Sequence, residues 1–125
     1  MLQLDQMQLG LPGRDYYLKR SSTRDLQAYH RYMTEVAVLL GADRSYASNE
    51  TIKVIQFETL LANASIPEAD RQDTGAIYSQ MSLLELERTV PEINWRDYLN
   101  AFLDDPVTDD EPIVTYAMLY FQVTS

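Results

Sequence analysis

The chain contains no cysteine and a single histidine, His30. Without thiols it can form neither a disulfide framework nor a thiolate metal site. A helical zinc-peptidase site needs two histidines one turn apart beside a carboxylate base, so one imidazole and no HExxH motif exclude that chemistry from these residues. Cations are also scarce: ten Lys and Arg face nineteen Asp and Glu, for a net charge of −9. That field repels a phosphate backbone and an anionic lipid surface alike, and no basic stripe gathers the few cations, so nucleic-acid and membrane-surface binding are disfavoured. No apolar run approaches the roughly 18 residues of a membrane span, and Met1 is followed at once by polar-alternating residues, so no leader or membrane segment is read here. If the parent protein is secreted or anchored, its targeting segment lies outside this chain. Glycine-rich phosphate loops, a G-x-S-x-G elbow and a nucleophilic cysteine are missing too.

What is present is an ordinary globular composition, 46% hydrophobic and 23% charged over 125 residues. That suits a single domain spanning residues 1–125 with one modest core. Leu2 and Leu4 alternate with Gln3 and Asp5 as in a short strand, and Gly10, Pro12 and Gly13 turn the chain. Ser22 is placed to cap a helix whose apolar stripe is Leu26, Tyr29, Met33, Val36, Ala37 and Leu40, with Asp25 in its first turn and Gly41 ending it. A polar loop through Asp43–Ser48 then leads to a helix over Asn49–Asn63. Its apolar residues, among them Ile52, Ile55, Phe57, Leu60 and Leu61, cover more than one face, so it is expected to be the most buried helix. Pro67 stops it.

Asp73 is expected to cap a short turn carrying Ile77, Tyr78 and Met81. Ser82 and Glu85 form a capping box for a helix ending before Pro91. Asn94 caps a further helix with Trp95, Tyr98, Leu99 and Phe102 on one face. An acidic loop, Asp104–Glu111, precedes a second strand, Pro112–Tyr116, and the last residues begin another helix. The fold class is therefore mainly α, a helical domain with two short terminal β-strands. The strands are expected to pair, bringing the ends of the chain together, with Leu4 and Val114 both facing the helical core.

Few residues point to chemistry. His30 lies beside the apolar stripe and reads as an edge residue rather than a ligand. Asp104, Asp105, Asp109, Asp110 and Glu111 lack the calcium-loop spacing and glycine, and Pro106 interrupts them, so they read as a solvated loop. Arg14 and Asp15 are expected to fix a turn while Tyr16 and Tyr17 bury their rings. Two N-x-[ST] sequons, at Asn49 and Asn63, are candidate glycan acceptors, although so short a pattern also arises by chance. No catalytic and no metal-binding residue is assigned.

One resemblance runs through nearly the whole chain. The segment Asp5-Gln6, followed by Leu11-Pro12, Arg14-Asp15-Tyr16-Tyr17-Leu18, resembles the opening of the small helical lobe in the neprilysin/endothelin-converting-enzyme family of zinc metallopeptidases. Tyr32-Met33, Leu39-Leu40-Gly41, Phe57-Glu58, Leu61 to Pro67, Ile77-Tyr78, Ile93-Asn94-Trp95 and Glu111-Pro112-Ile113-Val114 continue the match in order. The tail from Ala117 to Phe121 departs from it. The resemblance implies part of a small lobe that covers the active-site chamber of a peptide-cleaving enzyme and restricts substrate size. Zinc and the catalytic groups would then belong to a missing lobe of the same polypeptide, short peptides would be the substrates, and the setting would be extracellular or the ectodomain of a single-pass membrane protein. Asn63 falls where the family often carries a sequon. Because further helices pack on this lobe in the family, open apolar surface is expected on the Trp95–Phe102 helix and the Ile113–Phe121 tail, with marginal stability or self-association as the result. The alternative is a stand-alone, non-catalytic helical module that binds a protein or peptide.

Overall fold

A computed structural model describes residues 1–72 and 78–124. The chain divides into two compact units, one of Met7–Ser65 and one of Met1–Gln6 with Ile66–Ser125. The element composition is mainly helical, with a small three-stranded sheet.

The Met7–Ser65 unit begins with a one-turn helix α1 (Asp15–Leu18) and a 3-10 turn at Arg20–Ser22. Two long helices follow, α2 (Thr23–Leu39) and α3 (Arg44–Ala64). The α2–α3 connection shows why so few residues suffice. Gly41 adopts a φ of +104°, and the N–H groups of Gly41 and Ala42 donate to Val38 and Ala37 carbonyls, so the last turn of α2 closes in a Schellman motif. Asp43 then accepts from the Tyr46 N–H at 2.9 Å and caps α3. The stretch expected as a polar loop, Asp43–Ser48, is thus mostly the first turn of α3. Its residues are polar but contain no helix breaker, and a good cap precedes them. At the other end, Ser22 occupies the N-cap of α2 without a side-chain capping bond, and its hydroxyl donates instead to the Asp15 carbonyl.

Helix α3 is not the buried helix its composition suggests. It buries Ala47, Leu61, Ala62 and Ala64, yet Phe57 is 55% and Leu60 61% exposed. Tyr32 and Leu39 on α2, and Leu40 just after it, are exposed as well.

The second unit is built on a sheet of order β1-β3-β2, with β1 Leu2–Leu4, β2 Ser79–Ser82 and β3 Pro112–Thr115. β1 runs parallel to β3 and β2 antiparallel to it. The two expected strands therefore pair, and a third strand joins them. Of the stretch expected as turn and helix start, Ser79–Ser82 forms this strand, and only Ser82 also serves the helix. The Asp73 and Ile77 parts of that expectation lie outside the described residues.

Register corrects the expected facing of Leu4 and Val114. Leu2 pairs with Ile113, Leu4 with Thr115, and Ile113 with Met81, so these side chains share one face. Val114 pairs with Gln3 and Gln80 and lies on the other face, where it is nonetheless buried. The core sits on the Ile113 face.

Among the described residues of this unit three short helices follow in the sequence: α4 (Leu83–Thr89), α5 (Trp95–Asn100) and α6 (Met118–Thr124). Leu83, Leu86, Val90, Trp95, Leu99 and Ile113 form the buried cluster, with Leu2, Leu4 and Met81 packed on it. Each such side chain contributes about 1.5–3 kcal/mol of burial. Ser82 ends β2 and caps α4 through the full capping box, its hydroxyl accepting from Glu85 N–H at 3.2 Å and Glu85 accepting from Ser82 N–H at 2.8 Å. The surface expected to be open is so only in part: Ile113, Val114, Tyr120, Trp95 and Leu99 are buried, while Tyr98 on α5, Phe102 just after it and Leu119 on α6 are exposed.

Candidate functional site

The acidic loop is tied to its own unit through its backbone. Carbonyls of Glu111 and Asp109 accept from Leu83 and Leu84 N–H at 3.0 and 3.1 Å, satisfying first-turn donors of α4 that no intrahelical carbonyl can reach. Arg96 donates to the Val107 carbonyl at 3.3 Å and to the carboxylates of Glu87 and Asp109. Asn100 accepts from Val107 N–H at 2.8 Å.

The chain between Gly10 and Leu18 is held on α3 by three side chains of the same unit. Arg14 donates from Nε to the Ala62 carbonyl at 3.1 Å and from Nη2 to that of Asn63 at 3.5 Å. A cation here meets the orphan carbonyls and the negative dipole end of α3. Tyr17 is buried; its hydroxyl accepts from Leu11 N–H at 3.0 Å and donates to Glu58 Oε2. Tyr29 donates to Glu58 Oε1 at 3.2 Å. Gly10 lies so close that a Cβ would stand 2.0 Å from the Tyr29 hydroxyl. Glycine is required there by that close approach.

This cluster has the wrong electrostatics for a nucleophile or base. Burial pushes the Tyr17 hydroxyl well above the usual phenol range, and the hydrogen bond to Glu58 adds to it, while the Leu11 N–H works the other way. Tyr29 is raised by burial and then by the Glu58 charge. Both phenols stay neutral donors at neutral pH, and Glu58 is occupied by accepting from them. Arg14 thus bonds across to α3 rather than within its own turn, and Tyr17 buries as expected, whereas Tyr16 stays partly exposed.

His30 Nε2 lies 2.9 Å from the Ser48 carbonyl, to which its N–H donates, and 3.3 Å from the Ser48 hydroxyl. That nitrogen is committed to the α2–α3 contact. Among the described residues no three His, Cys, Asp or Glu side chains are grouped to hold a metal ion. The donor set of this chain does not fit a catalytic zinc. The sequon asparagines are both exposed and both on α3, Asn49 in its first half and Asn63 in its last turn. Their hydroxyl partners are engaged: Thr51 donates to the Ser48 carbonyl at 3.1 Å, and Ser65 to that of Leu61 at 2.7 Å.

The second unit contains a cavity of about 300 Å³ that composition gave no hint of. Leu4, Ile93 and the rings of Trp95, Tyr98 and Phe121 line it, with Gln3 and Asp5 supplying polar lining. Asp5 is fixed there, Oδ1 accepting from Gln6 N–H at 2.8 Å and Oδ2 from Arg71 at 2.5 Å. The Gln6 amide in turn bonds both the N–H and the carbonyl of Ile66, at 2.9 and 3.2 Å. Among the described residues no helix is long and apolar enough to cross a membrane.

Comparison with known proteins places these features. The family model described as Peptidase family M13, for the N-terminal region, matches residues 1–125. The chain is 39% identical to rat (Rattus norvegicus) endothelin-converting enzyme 1 over 128 residues, covering 100% of this chain and 17% of that protein. It is 42% identical to Drosophila melanogaster neprilysin-3 over 122 residues, 94% of this chain and 16% of that one. The Mycobacterium tuberculosis zinc metalloprotease Zmp1, in its open state, shares the fold with a TM-score of 0.85 at 20% identity, over 98% of this chain and 19% of that chain. The chain thus spans about a sixth of the length of the curated relatives it matches.

Proposed function

This chain belongs to peptidase family M13, whose N-terminal region it matches over residues 1–125, and on that premise we propose that it is a non-catalytic part of the small helical lobe of a zinc metalloendopeptidase cleaving short peptides. One observation carries the reading: a family match along the full chain, set beside a sequence with one histidine, no cysteine and no HExxH motif. The zinc, its ligands and the carboxylate base then belong to the rest of the polypeptide, which is this chain's principal partner. The lobe covers the active-site chamber and restricts substrates by size. Residues 1–125 act as one part of that lobe, on the extracellular side, with Asn63 and Asn49 as glycan acceptors.

The division of labour follows from what these residues do. The Tyr17–Glu58–Tyr29 cluster, the Arg14 bonds and the Gln6–Ile66 pair all tie one chain segment to another through side chains. Each holds a segment of its own unit in place. A chimera tests the reading. This chain replaces the matching segment of rat endothelin-converting enzyme 1, and hydrolysis is measured on a short peptide and on an unfolded protein of the same cleavage sequence. Retained zinc and retained cleavage of the short peptide alone are expected. A folded, zinc-loaded chimera that cleaves both equally would overturn the size-restricting role.

A further inference from the structure

Helix α3 turns one face to solvent, and the two sequon asparagines stand at its ends. Residues three or four apart are surface neighbours on a helix. Steps of that size lead from Asn49 through Lys53 and Phe57 to Leu60 and Asn63, and every residue of this row is exposed. The two asparagines are fourteen residues apart. That is just under four turns, so they lie on the same side of α3, about 21 Å from each other along its axis. The apolar pair lies between them, with Leu60 one step from Asn63.

Charge does little to keep other surfaces off this face. The Met7–Ser65 unit carries seven Lys and Arg against six Asp and Glu, so it lacks the strong acidity of the protein as a whole. Lys53, the one charged member of the row, is paired with Glu50 at 2.6 Å. Phe57 and Leu60 are each more than half exposed. Left bare, such a face favours contact between copies of the chain.

The asparagines are built to carry a substituent outward. Among the described residues neither side-chain amide has a hydrogen-bond partner, so a group joined to either nitrogen displaces no contact. The Thr51 and Ser65 hydroxyls that complete the two sequons are committed to helix carbonyls, which places attachment before α3 closes. An attached glycan is bulky and solubilising. Its first sugar also presents C–H groups and an acetyl methyl that pack on an apolar side chain. Resting on the reading of Asn49 and Asn63 as glycan acceptors, we propose that their glycans cover the Phe57–Leu60 face and keep copies of the chain from associating through it. The occupant of this face is then carbohydrate borne by the same helix.

The 125-residue chain is made in bacteria, without glycans, and secreted from mammalian cells, with mass spectrometry reading the occupancy of each asparagine. Light scattering then follows mass against concentration. The glycosylated chain should associate only at a concentration roughly tenfold or more above that of the bacterial chain, the effect of losing one large side chain's burial from a contact. The secreted double variant Asn49→Gln with Asn63→Gln should associate like the bacterial chain and melt at the same temperature. Of the single variants, Asn63→Gln should restore more of the association, because Asn63 adjoins Leu60. In a Phe57→Lys and Leu60→Lys background the glycans should make no difference, which separates cover of this face from a general gain in solubility. Glycans present on both asparagines with association unchanged would leave the acceptors standing and overturn the cover. Unoccupied asparagines in the secreted chain would overturn the acceptor reading, and the cover with it. A bacterial chain that stays monomeric at every concentration would also overturn the inference, since the bare face would then make no contact for a glycan to prevent.

Discussion

The hydroxyl of Tyr17 donates to Glu58 across 41 residues of sequence, fixing the turn after Gly10 to the middle of α3. The same hydroxyl accepts from Leu11 N–H, so a single oxygen joins turn and helix. Tyr17→Phe removes both bonds and leaves a carboxylate oxygen and a backbone N–H short of partners. A loss of about 1.5–3 kcal/mol is expected for a hydrogen bond to a charged group. Urea melts of the variant and parent measure it, with an unchanged slope showing that the fold itself persists.

The pH dependence of that contact has a definite sign. The folded-state pKa of Tyr17 is raised above its ordinary 10.0, chiefly by burial, and Tyr29 is raised with it. A raised pKa gives stability that is full below the unfolded value and is lost as pH climbs from there toward the folded one. Stability should therefore fall above about pH 10, more steeply in the parent than in Tyr17→Phe. Melts between pH 8 and pH 11 provide the comparison, and parallel curves would remove Tyr17 from the account.

Gly10 is the position where a single methyl group should matter most. A Cβ there would stand 2.0 Å from the Tyr29 hydroxyl and 2.8 Å from its ring carbon, closer than van der Waals contact allows. Gly10→Ala must displace Tyr29 and break its bond to Glu58. A cost of about 1–3 kcal/mol is expected from such overpacking. Combining it with Tyr29→Phe should cost less than the sum of the two changes, since the shared contact is lost only once.

Much of this architecture is legible in local sequence. The Ser82–Glu85 capping box, the Asn94 cap, the Gly41 stop and the terminal strands each rest on a few neighbouring residues, and each forms. What escapes is set by distant partners. Ser79–Ser82 becomes a strand because β3 pairs with it, and nothing in Ser-Gln-Met-Ser announces that. Register with Ile113, and not alternation alone, sends Leu4 and Val114 to opposite faces. The Arg44–Ser48 turn was hidden by its polarity, although Asp43 caps it well. The cavity is the extreme case, since β1, the Ile93–Tyr98 region and α6 meet only after folding. The apolar surface expected on α5 and the tail shows a different limit. Composition identified apolar residues in excess, but packing decides which of them remain outside, and in the Met7–Ser65 unit those are Tyr32, Leu39, Phe57 and Leu60.

That exposed surface predicts association of the isolated chain. Phe57 and Leu60 lie one turn apart on α3, each more than half exposed. Large apolar patches of this kind mark contact surfaces. Light scattering should show mass rising with concentration, and Phe57→Lys with Leu60→Lys should return the chain to a monomer without lowering its melting temperature. A parent chain that stays monomeric at high concentration would contradict this.

We propose that these residues, which belong to peptidase family M13, hold none of its zinc chemistry by themselves. Metal analysis of the purified 125-residue chain after equilibration with zinc, read together with hydrolysis of a short fluorogenic peptide, tests it most directly. Well under one tightly held zinc per chain and no cleavage above buffer, with or without chelator, are expected. One stoichiometric zinc per chain together with chelator-sensitive hydrolysis would contradict it.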